Sequence, residues 1–217
     1  KMGENPTYIF TVGDPSLDLL LAARVLPRRE ITEEFDLDPS RQYAIAIQHP
    51  VTTEVEDSAA QIRETIDALR ELNLQALFIL PNTDAGNKSM IEEIQEAGGK
   101  WVTGLQPEMY ANLLRHSAVL VGNSSSGIHE AASFHVPVVN IGTRQQGRLR
   151  PRNVIDVGYG RREILDGIMK AISDHSFREV VLSCDNPYGD GKAAPRITKV
   201  LKTVEITREL LQKKLTY

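Results

Sequence analysis

Three consecutive serines and a glycine stand between an apolar run and a helix-like segment, in the string VGNSSSGIHE over residues 121–130. A helix that begins near Ser126 leaves its first backbone N–H groups unpaired and partially positive. Ser124 and Ser125 would add hydroxyl donors, and Gly127 has no side chain that could obstruct a ligand. Together these groups predict a cradle for a phosphate.

The alternative is an ordinary helix cap, since one Ser or Asn can satisfy the unpaired N–H groups without a ligand. Capping explains one serine and not three, so the pattern favours the anion site. The string is not a Walker loop, because no Lys-Ser or Lys-Thr pair follows, and it lacks the GxGxxG of a dinucleotide-binding loop. Glu130 is expected in the first turn of the same helix, where it either compensates the helix dipole or binds a sugar hydroxyl such as that of a ribose.

Two further polar residues follow apolar runs. His49 ends the run YAIAIQ, and it either donates to a phosphate and moves a proton or simply ends a strand. Arg144 follows the run VPVVNI, and it is either solvated or a phosphate contact. The residues without a partner at ligand spacing are His116, His135, His175 and Cys184. We expect these four to be structural or solvated, and we expect neither a metal nor a cofactor.

Short apolar runs of strand length alternate with helical patterns along the chain. The runs cover residues 8–12, 43–48, 75–80, 118–122, 136–141 and 153–157, with a weaker one at 100–104. The helical patterns cover residues 62–72, 91–94, 107–114 and 161–174, and the longest extends from Ile197 to Leu215. This alternation predicts an α/β fold with a doubly wound parallel sheet. Ligands bind beyond the carboxyl ends of such strands, which is where His49, the serines and Arg144 are expected.

The first segment differs from the rest. Residues 1–26 contain one apolar run, expected to be a strand with few partners in this chain, and one short helical pattern. The polar stretch 27–42 has two prolines and little periodicity, which indicates a boundary. We therefore expect residues 1–26 to be the end of a preceding domain with an interdomain segment, and residues 27–217 to be a ligand-binding domain.

Composition places the chain among globular proteins. The 217 residues are 41% hydrophobic and 25% charged, and the net charge of −4 argues against a nucleic-acid surface. A single cysteine excludes an internal disulfide framework and fits a reducing compartment. No run approaches the about 18 apolar residues of a membrane span. The expectation is a soluble cytoplasmic protein.

Seven strings in order give the chain a resemblance to the hydrolysing UDP-N-acetylglucosamine 2-epimerases, including bacterial enzymes of sialic and related nonulosonic acid synthesis and the epimerase half of a bifunctional animal enzyme. The strings are MGENP (2–6), VGDPSLD (12–18), QHPVTTE (48–54), PNTDAG (81–86), GNSSSGIHE (122–130), PVVNIGTRQQGR (137–148) and YGDGKAAPRI (188–197). The resemblance covers residues 1–202. It implies the C-terminal, UDP-binding, Rossmann-like domain of a two-domain enzyme with the GT-B fold.

The resemblance also implies residue roles. Ser124 and Ser125 would contact the diphosphate with Arg144 nearby, Glu130 would bind the ribose hydroxyls, and His49 would be a catalytic residue assisting departure of UDP. The implied reaction removes the proton from sugar carbon 2 and expels UDP, and water then adds to the glycal to give N-acetylmannosamine. The acid and base carboxylates are expected in the half of the family's chain that this sequence does not contain. The family assembles as dimers or tetramers, so a homo-oligomer is expected of the full-length enzyme.

Two other functions stay open at this point. The parent could hydrolyse another UDP-linked N-acetylated sugar, such as a diacetamido trideoxyhexose. Alternatively, the chain could be the donor-binding domain of a GT-B glycosyltransferase, which uses the same phosphate loop and passes its sugar to an acceptor.

Overall fold

A computed structural model of the chain describes residues 3–212 and residue 214. Residues 23–187 form one compact unit, and the described parts of residues 1–22 and 188–217 form a second. Residues 23–26 belong with the larger unit and the described part of residues 188–217 with the smaller one, and a domain boundary of the parent protein at residue 26 stays a prediction. Leu26 is buried there, and its N–H donates to the Asn112 side chain at 2.9 Å.

The larger unit contains a sheet of six parallel strands, which confirms the predicted α/β fold. The strands are β1 (Tyr43–Ile47), β2 (Gln75–Ile79), β3 (Lys100–Val102), β4 (Val119–Gly122), β5 (Val138–Ile141) and β6 (Val154–Val157). Their spatial order is β3-β2-β1-β4-β5-β6. All six lie where apolar runs predicted them, because a parallel strand covered on both faces needs an apolar side chain at nearly every position.

Helices cover both faces of this sheet. Those of the larger unit are α2 (Arg28–Glu34), α3 (Ser58–Glu71), α4 (Asn87–Glu96), α5 (Pro107–His116), α6 (Ser125–His129), α7 (Arg161–Ser173) and α8 (His175–Leu182). One core packs Ala44 and Ala46 of β1 against α3, α4 and α7, and the other packs Tyr43, Ile45 and Ile47 against α2 and α5. Alternate side chains of one strand therefore pack into opposite cores, as expected of a doubly wound sheet.

The strand order reverses between β1 and β4, which are neighbours although helices α3 to α5 separate them along the chain. Gly122 ends β4 with φ +128, and a Cβ built there would lie 2.1 Å from the Ile47 carbonyl oxygen. Only glycine fits this close approach. The crevice at such a reversal, beyond the carboxyl ends of the strands, is where open α/β sheets bind ligands.

The smaller unit contains helices α1 (Pro15–Leu21), α9 (Ala193–Thr203) and α10 (Arg208–Leu211), with a 3₁₀ turn at Pro6–Tyr8. Asp14 caps α1 by accepting the Ser16 N–H at 2.9 Å. The Asp18 carboxylate in turn accepts the N–H groups of Ala193 and Ala194 at 2.8 and 2.7 Å. A carboxylate at this position satisfies unpaired donors of α9 and complements its dipole.

Two expectations about local structure were wrong. Residues 9–12 have no regular secondary structure, and Ile9 and Phe10 are 58% and 49% exposed, because the described residues include no strand that pairs with them. The pattern that began at Ile197 leaves the helical conformation after Thr203, in a segment rich in β-branched residues that favour helices weakly. Its last member, Leu215, lies outside the described residues.

The stretch 27–42 is also not a simple boundary. It contains α2, which begins directly after Pro27 and buries Ile31 and Thr32 completely. An Arg29–Glu33 pair at 2.6 Å spans one turn of this helix. Helix α8 was likewise not predicted, although Asp174 caps it by accepting the Phe177 N–H at 3.1 Å.

Candidate functional site

Three of the predicted residues converge at the carboxyl ends of the central strands. His49 follows β1, Ser124 follows β4, and Arg144 follows β5 by three residues. These strands are adjacent in the order β1-β4-β5, so the three side chains share one rim beside the reversal in strand order. This arrangement confirms the expected placement on the sheet.

Asn123 connects these residues, and it was not among the predicted site residues. Its side chain accepts the His49 N–H at 2.7 Å and donates to the His49 carbonyl at 2.8 Å. Its own carbonyl accepts from Arg144 Nη1 at 3.2 Å and from Gln145 Nε2 at 2.8 Å. Asn123 is completely buried. One residue therefore fixes the loops after β1 and β5 relative to the end of β4.

The serine loop forms a helix start within one residue of the predicted position. Ser124 is the N-cap of α6, and its Oγ accepts the Ser126 N–H at 3.3 Å. Ser125 is half-buried, and its hydroxyl has no partner among the described residues. Because α6 has only five residues, its dipole is small. Any anion at this loop would therefore depend mainly on side-chain donors rather than on the helix.

The third serine has a different environment. Ser126 is 8% exposed, and its hydroxyl hydrogen-bonds the Tyr110 hydroxyl and the Glu130 carboxylate, the latter at 2.6 Å. Burial raises the pKa of Tyr110, and the Glu130 charge raises it further, so the phenol stays protonated. Ser126 is thus a link between Tyr110 and Glu130 and not a third donor for a ligand.

Two details of the serine loop differ from expectation. Glu130 follows the last residue of α6 as its C-cap and does not lie in the first turn, so it does not compensate the dipole at the N-terminus. Gly127 is buried, and a Cβ built on it would lie 2.8 Å from Val138 Cγ1 and 3.5 Å from Leu120 Cδ2. The glycine therefore permits close packing of α6 on the sheet and does not keep a path clear for a ligand.

The imidazole of His49 is fixed in one tautomer. Its Nδ1 accepts the backbone N–H of Asn82 at 3.1 Å, which places the proton of the neutral ring on Nε2. Burial, and then the positive charge of Arg144, lower the pKa of His49 to about 4, although the Asp84 carboxylate and the hydrogen bond from Asn82 oppose this change. At neutral pH His49 is therefore an uncharged donor through Nε2.

Arg144 is half-buried beside this histidine. Burial lowers the pKa of its guanidinium, which nevertheless remains protonated at any ordinary pH. The nearest carboxylate is Asp84, at 3.9 Å from Nη2, and Asp84 itself accepts from Asn82 Nδ2 at 2.8 Å. The loop after β2, which carries Asn82 and Asp84, is thus part of the site. The string PNTDAG was the signal for it in the sequence, because Asn and Asp follow an apolar run.

A cavity of ≈ 490 Å³ lies in the same unit, beyond the carboxyl ends of β5 and β6. The residues that line it include Gly142, Arg148, Arg150, Asp156, Gly158 and Glu163. Arg150 is bound to both carboxylate oxygens of Asp156, at 3.2 and 3.1 Å, and to the Gln145 carbonyl at 2.5 Å. None of the predicted site residues lines this cavity.

The four residues that the sequence predicted to be structural or solvated have structural contacts or are exposed. His116 Nε2 lies 2.8 Å from the Leu26 carbonyl oxygen, His135 adopts φ +52 after a 3₁₀ turn, and Cys184 is buried. Within residues 3–212 and at 214, no group of three or more His, Cys, Asp or Glu side chains is arranged to hold a metal. Over the same residues, no helix has the length and apolar character needed to cross a membrane.

Comparison with known proteins gives a family. A model of the UDP-N-acetylglucosamine 2-epimerase family matches residues 1–202. The chain is 36% identical over 217 residues to a hydrolysing UDP-N,N'-diacetylbacillosamine 2-epimerase of Legionella pneumophila, covering 98% of the chain and 56% of that protein. It is 34% identical over 176 residues to a UDP-N-acetylglucosamine 2-epimerase of Neisseria meningitidis, covering 80% of the chain and 46% of that protein. The chain thus spans about half the length of these relatives.

A solved structure supports the same relationship at the level of the fold. The crystal structure of the UDP-GlcNAc 2-epimerase from Neisseria meningitidis bound to UDP-GlcNAc superposes with a TM-score of 0.74. The match covers 93% of this chain and 57% of that one at 15% identity, so it is evidence for a shared GT-B-type fold and for nothing finer. With the family match and the sequence identities, it confirms the resemblance: the chain belongs to the UDP-N-acetylglucosamine 2-epimerase family.

Proposed function

We propose that this chain is the UDP-binding domain of a hydrolysing UDP-N-acetylglucosamine 2-epimerase. The observation that carries the proposal is the convergence of His49, Ser124 and Arg144 beside Asn123, at the reversal in strand order. Such a crevice suits a nucleotide, and the cluster combines a cation with neutral donors. The relatives' names support a nucleotide-linked, N-acetylated sugar as substrate.

In this proposal the diphosphate is held by hydroxyls and a guanidinium. Arg144 supplies the positive charge and can donate two hydrogen bonds to phosphate oxygens. Ser125 donates its hydroxyl proton, and the Ser124 hydroxyl can donate as well, because its oxygen serves only as the acceptor in the cap. Glu130 binds the ribose hydroxyls, and Gly127 contributes through the close packing of α6 rather than through contact with the ligand.

The neutral state of His49 suits a residue that assists a leaving group. Charge grows on the diphosphate oxygen as the bond to sugar carbon 1 breaks, and a fixed donor at that point stabilises the transition state. The Nε2–H of His49 is such a donor, with Nδ1 held by Asn82. Because Nδ1 already accepts the Asn82 N–H, the neutral ring stabilises departing UDP through this hydrogen bond and does not transfer a proton to it.

The proposed reaction has two balanced steps. A base takes the proton from sugar carbon 2, the carbon–oxygen bond at carbon 1 breaks, and UDP leaves with the electron pair to give a glycal. Water then adds across the double bond, which places hydroxyl on carbon 1 and hydrogen on carbon 2 and yields N-acetylmannosamine. We assign the base and its partner acid to a part of the parent enzyme outside this sequence, since the chain spans about half of its relatives.

The same assignment makes the isolated chain inactive as an epimerase. Residues 27–217 would be the UDP-binding domain of the parent, residues 1–26 the end of its other domain with the interdomain segment, and the parent a cytoplasmic homo-oligomer. The compartment is proposed on the single cysteine, which fits reducing conditions.

A UDP-linked diacetamido sugar is the second candidate substrate, favoured by the 36% identity to the Legionella enzyme. A glycosyltransferase donor domain is the remaining alternative, since the GT-B fold serves both activities. Release of a free 2-epimeric sugar with UDP, in the absence of any acceptor, would separate an epimerase from a transferase. The relative rates with the two UDP-sugars would decide between the substrates.

The decisive experiment has two arms. Calorimetric titration of the 217-residue chain with UDP tests the nucleotide site, and we expect saturable binding below millimolar concentration. An assay of the same chain with UDP-N-acetylglucosamine tests the division of labour, and we expect no N-acetylmannosamine. Absence of UDP binding would refute the nucleotide site, whereas turnover by this chain would refute the assignment of the acid and base to another part of the enzyme.

A further inference from the structure

The carboxylate of Glu54 lies at the centre of a hydrogen-bond cluster that the proposed roles do not use. Glu54 is half-buried in the loop between β1 and α3. Its Oε1 accepts from Thr143 Oγ1 at 2.6 Å, and its Oε2 accepts from the Tyr159 hydroxyl at 2.6 Å and from Gln61 Nε2 at 2.9 Å. One side chain therefore joins the loops that follow β1, β5 and β6 to helix α3.

The hydrogen bonds that Glu54 accepts are strengthened by the charge of its carboxylate. Hydrogen bonds to an ionised carboxylate are shorter and about twice as strong as those between neutral groups. The Thr143 hydroxyl, and then the Tyr159 hydroxyl, hold the pKa of Glu54 below its usual range, so the group is ionised at neutral pH. Three donors share the carboxylate charge, and no cation within the described part of the chain is paired with it.

The cluster also fixes the backbone that leads into Arg144. The backbone N–H of Thr143 donates to the Tyr159 hydroxyl at 3.2 Å. Gly142 has φ +72, and a Cβ built there would lie 2.1 Å from the Tyr159 ring, so this segment packs directly against the tyrosine. Residues 142 and 143 thus have little freedom, and Arg144 is the next residue along the chain.

We propose that Glu54 is a positioning residue for the anion site, acting through Thr143 and Tyr159 to hold Arg144 in place. The far end of Arg144 is already tethered, because its Nη1 donates to the Asn123 carbonyl. With both its backbone and its guanidinium fixed, the arginine meets a phosphate without first losing conformational freedom. The inference rests on the proposed function, since it takes Arg144 to contact the diphosphate of UDP.

The test is a double-mutant cycle on UDP affinity, measured by calorimetry, with ligand-observed NMR for weak variants. Glu54→Gln keeps the size of the side chain, but it places an NH₂ group and one oxygen where the carboxylate presents a separate oxygen to each hydroxyl, and it removes the negative charge. We expect Glu54→Gln to weaken UDP about tenfold in the native background and less than about twofold in the Arg144→Ala background. Glu56→Gln, at an exposed carboxylate in the same loop, is the control and should leave affinity unchanged.

Thr143→Val can replace Glu54→Gln in the same double-mutant cycle if circular dichroism shows that Glu54→Gln does not fold. It removes one donor to the carboxylate with little change in shape, and its effect should also disappear in the Arg144→Ala background. An equal loss in both backgrounds, or no loss in the native one, would overturn the positioning role while UDP binding by the native chain keeps the proposed function intact. If the native chain binds no UDP, both proposals fail together, because there is no anion site to position.

Discussion

The half-buried imidazole of His49 should make folding sensitive to mild acid. The pKa of His49 in the folded chain is about 4, whereas in the unfolded chain it is about 6.5. Between these values the unfolded chain binds the proton and the folded chain does not, so stability rises with pH in this window. The contribution of His49 is complete above pH 6.5 and is lost as pH falls towards 4.

The magnitude follows from the difference in pKa. A difference of about 2.5 corresponds to roughly 3 kcal/mol if no solvent screens the ring. His49 is only half-buried, so we expect about half of this value, of which about 1 kcal/mol is lost between pH 7 and pH 5. The comparison variant is His49→Asn, because its amide oxygen can still accept the Asn82 N–H and does not titrate.

Urea unfolding followed by circular dichroism at pH 7, 6 and 5 measures the effect. Carboxylates contribute to both proteins equally, so the relevant quantity is the loss of unfolding free energy in the native chain minus that in His49→Asn. We expect this difference to be about 1 kcal/mol. His175→Asn, at an exposed histidine, should show no such difference. Equal losses in the native chain and His49→Asn would show that burial of His49 carries no proton linkage.

Three further predictions address the site and the fold. Ser125→Ala should weaken UDP binding about tenfold and leave uridine binding unchanged, because a hydrogen bond to a charged group is worth about 1.5–3 kcal/mol. Calorimetry with both ligands measures this, with Ser176→Ala as the matched control. Equal weakening of both ligands would contradict the prediction. In a longer, active enzyme, His49→Ala should lower kcat and kcat/KM together, since the proposed contact forms in the transition state; a rise in KM alone would make His49 a binder of the ground state. Gly122→Ala should lower the free energy of unfolding by roughly 3–5 kcal/mol or prevent folding. Gly98 also has positive φ, but no heavy atom lies within 4 Å of its Cβ position. In urea unfolding, Gly98→Ala should therefore lower the free energy of unfolding by only about 1 kcal/mol.

The sheet could be predicted from the sequence because its strands are buried on both faces. Every residue of β1, β4 and β5 is buried, so β1 and β4 appear in the sequence as uninterrupted apolar runs and β5 as a run broken only by Asn140. The same rule fails at residues 8–12, where an apolar run of the right length has no strand to pair with among the described residues. Strand formation depends on a partner, and a run of apolar residues does not supply one.

The helices were predicted less well than the strands. Periodicity predicted α3 and α7, which bury broad apolar stripes, but it missed α2, which buries Ile31 and Thr32 and exposes most of its charged residues. It also extended the final helix beyond Thr203, since Val204 and Leu211 continue the spacing although the backbone leaves the helix at Val204. An apolar stripe predicts a buried face only where the intervening residues favour the helix as well.

The predicted site residues were found by their place at strand ends, and the missed ones could not have been found in this way. Asn123 and Asn82 bond His49 across 74 and 33 residues of chain, and Glu54 bonds Thr143 across 89. Such pairings depend on which loops the fold brings together. Local sequence identified the polar residues at the rim, and only the strand order shows which of them touch.

The hydrogen bonds of Asn123 explain how a crevice can open at the reversal in strand order without leaving backbone groups unpaired. The ladder between β1 and β4 ends with the Asn123 N–H donating to the Ile47 carbonyl at 3.0 Å. Beyond that point the two chains separate, and the N–H and carbonyl of His49 would lose their partners at a part-buried position, which is costly. The side-chain amide of Asn123 replaces both, because it presents one donor and one acceptor in the same plane as a peptide group does. Aspartate at this position could not donate to the His49 carbonyl and would place a second carboxylate beside the proposed diphosphate site. An amide at residue 123 therefore satisfies the backbone and leaves the charge of the rim to Arg144.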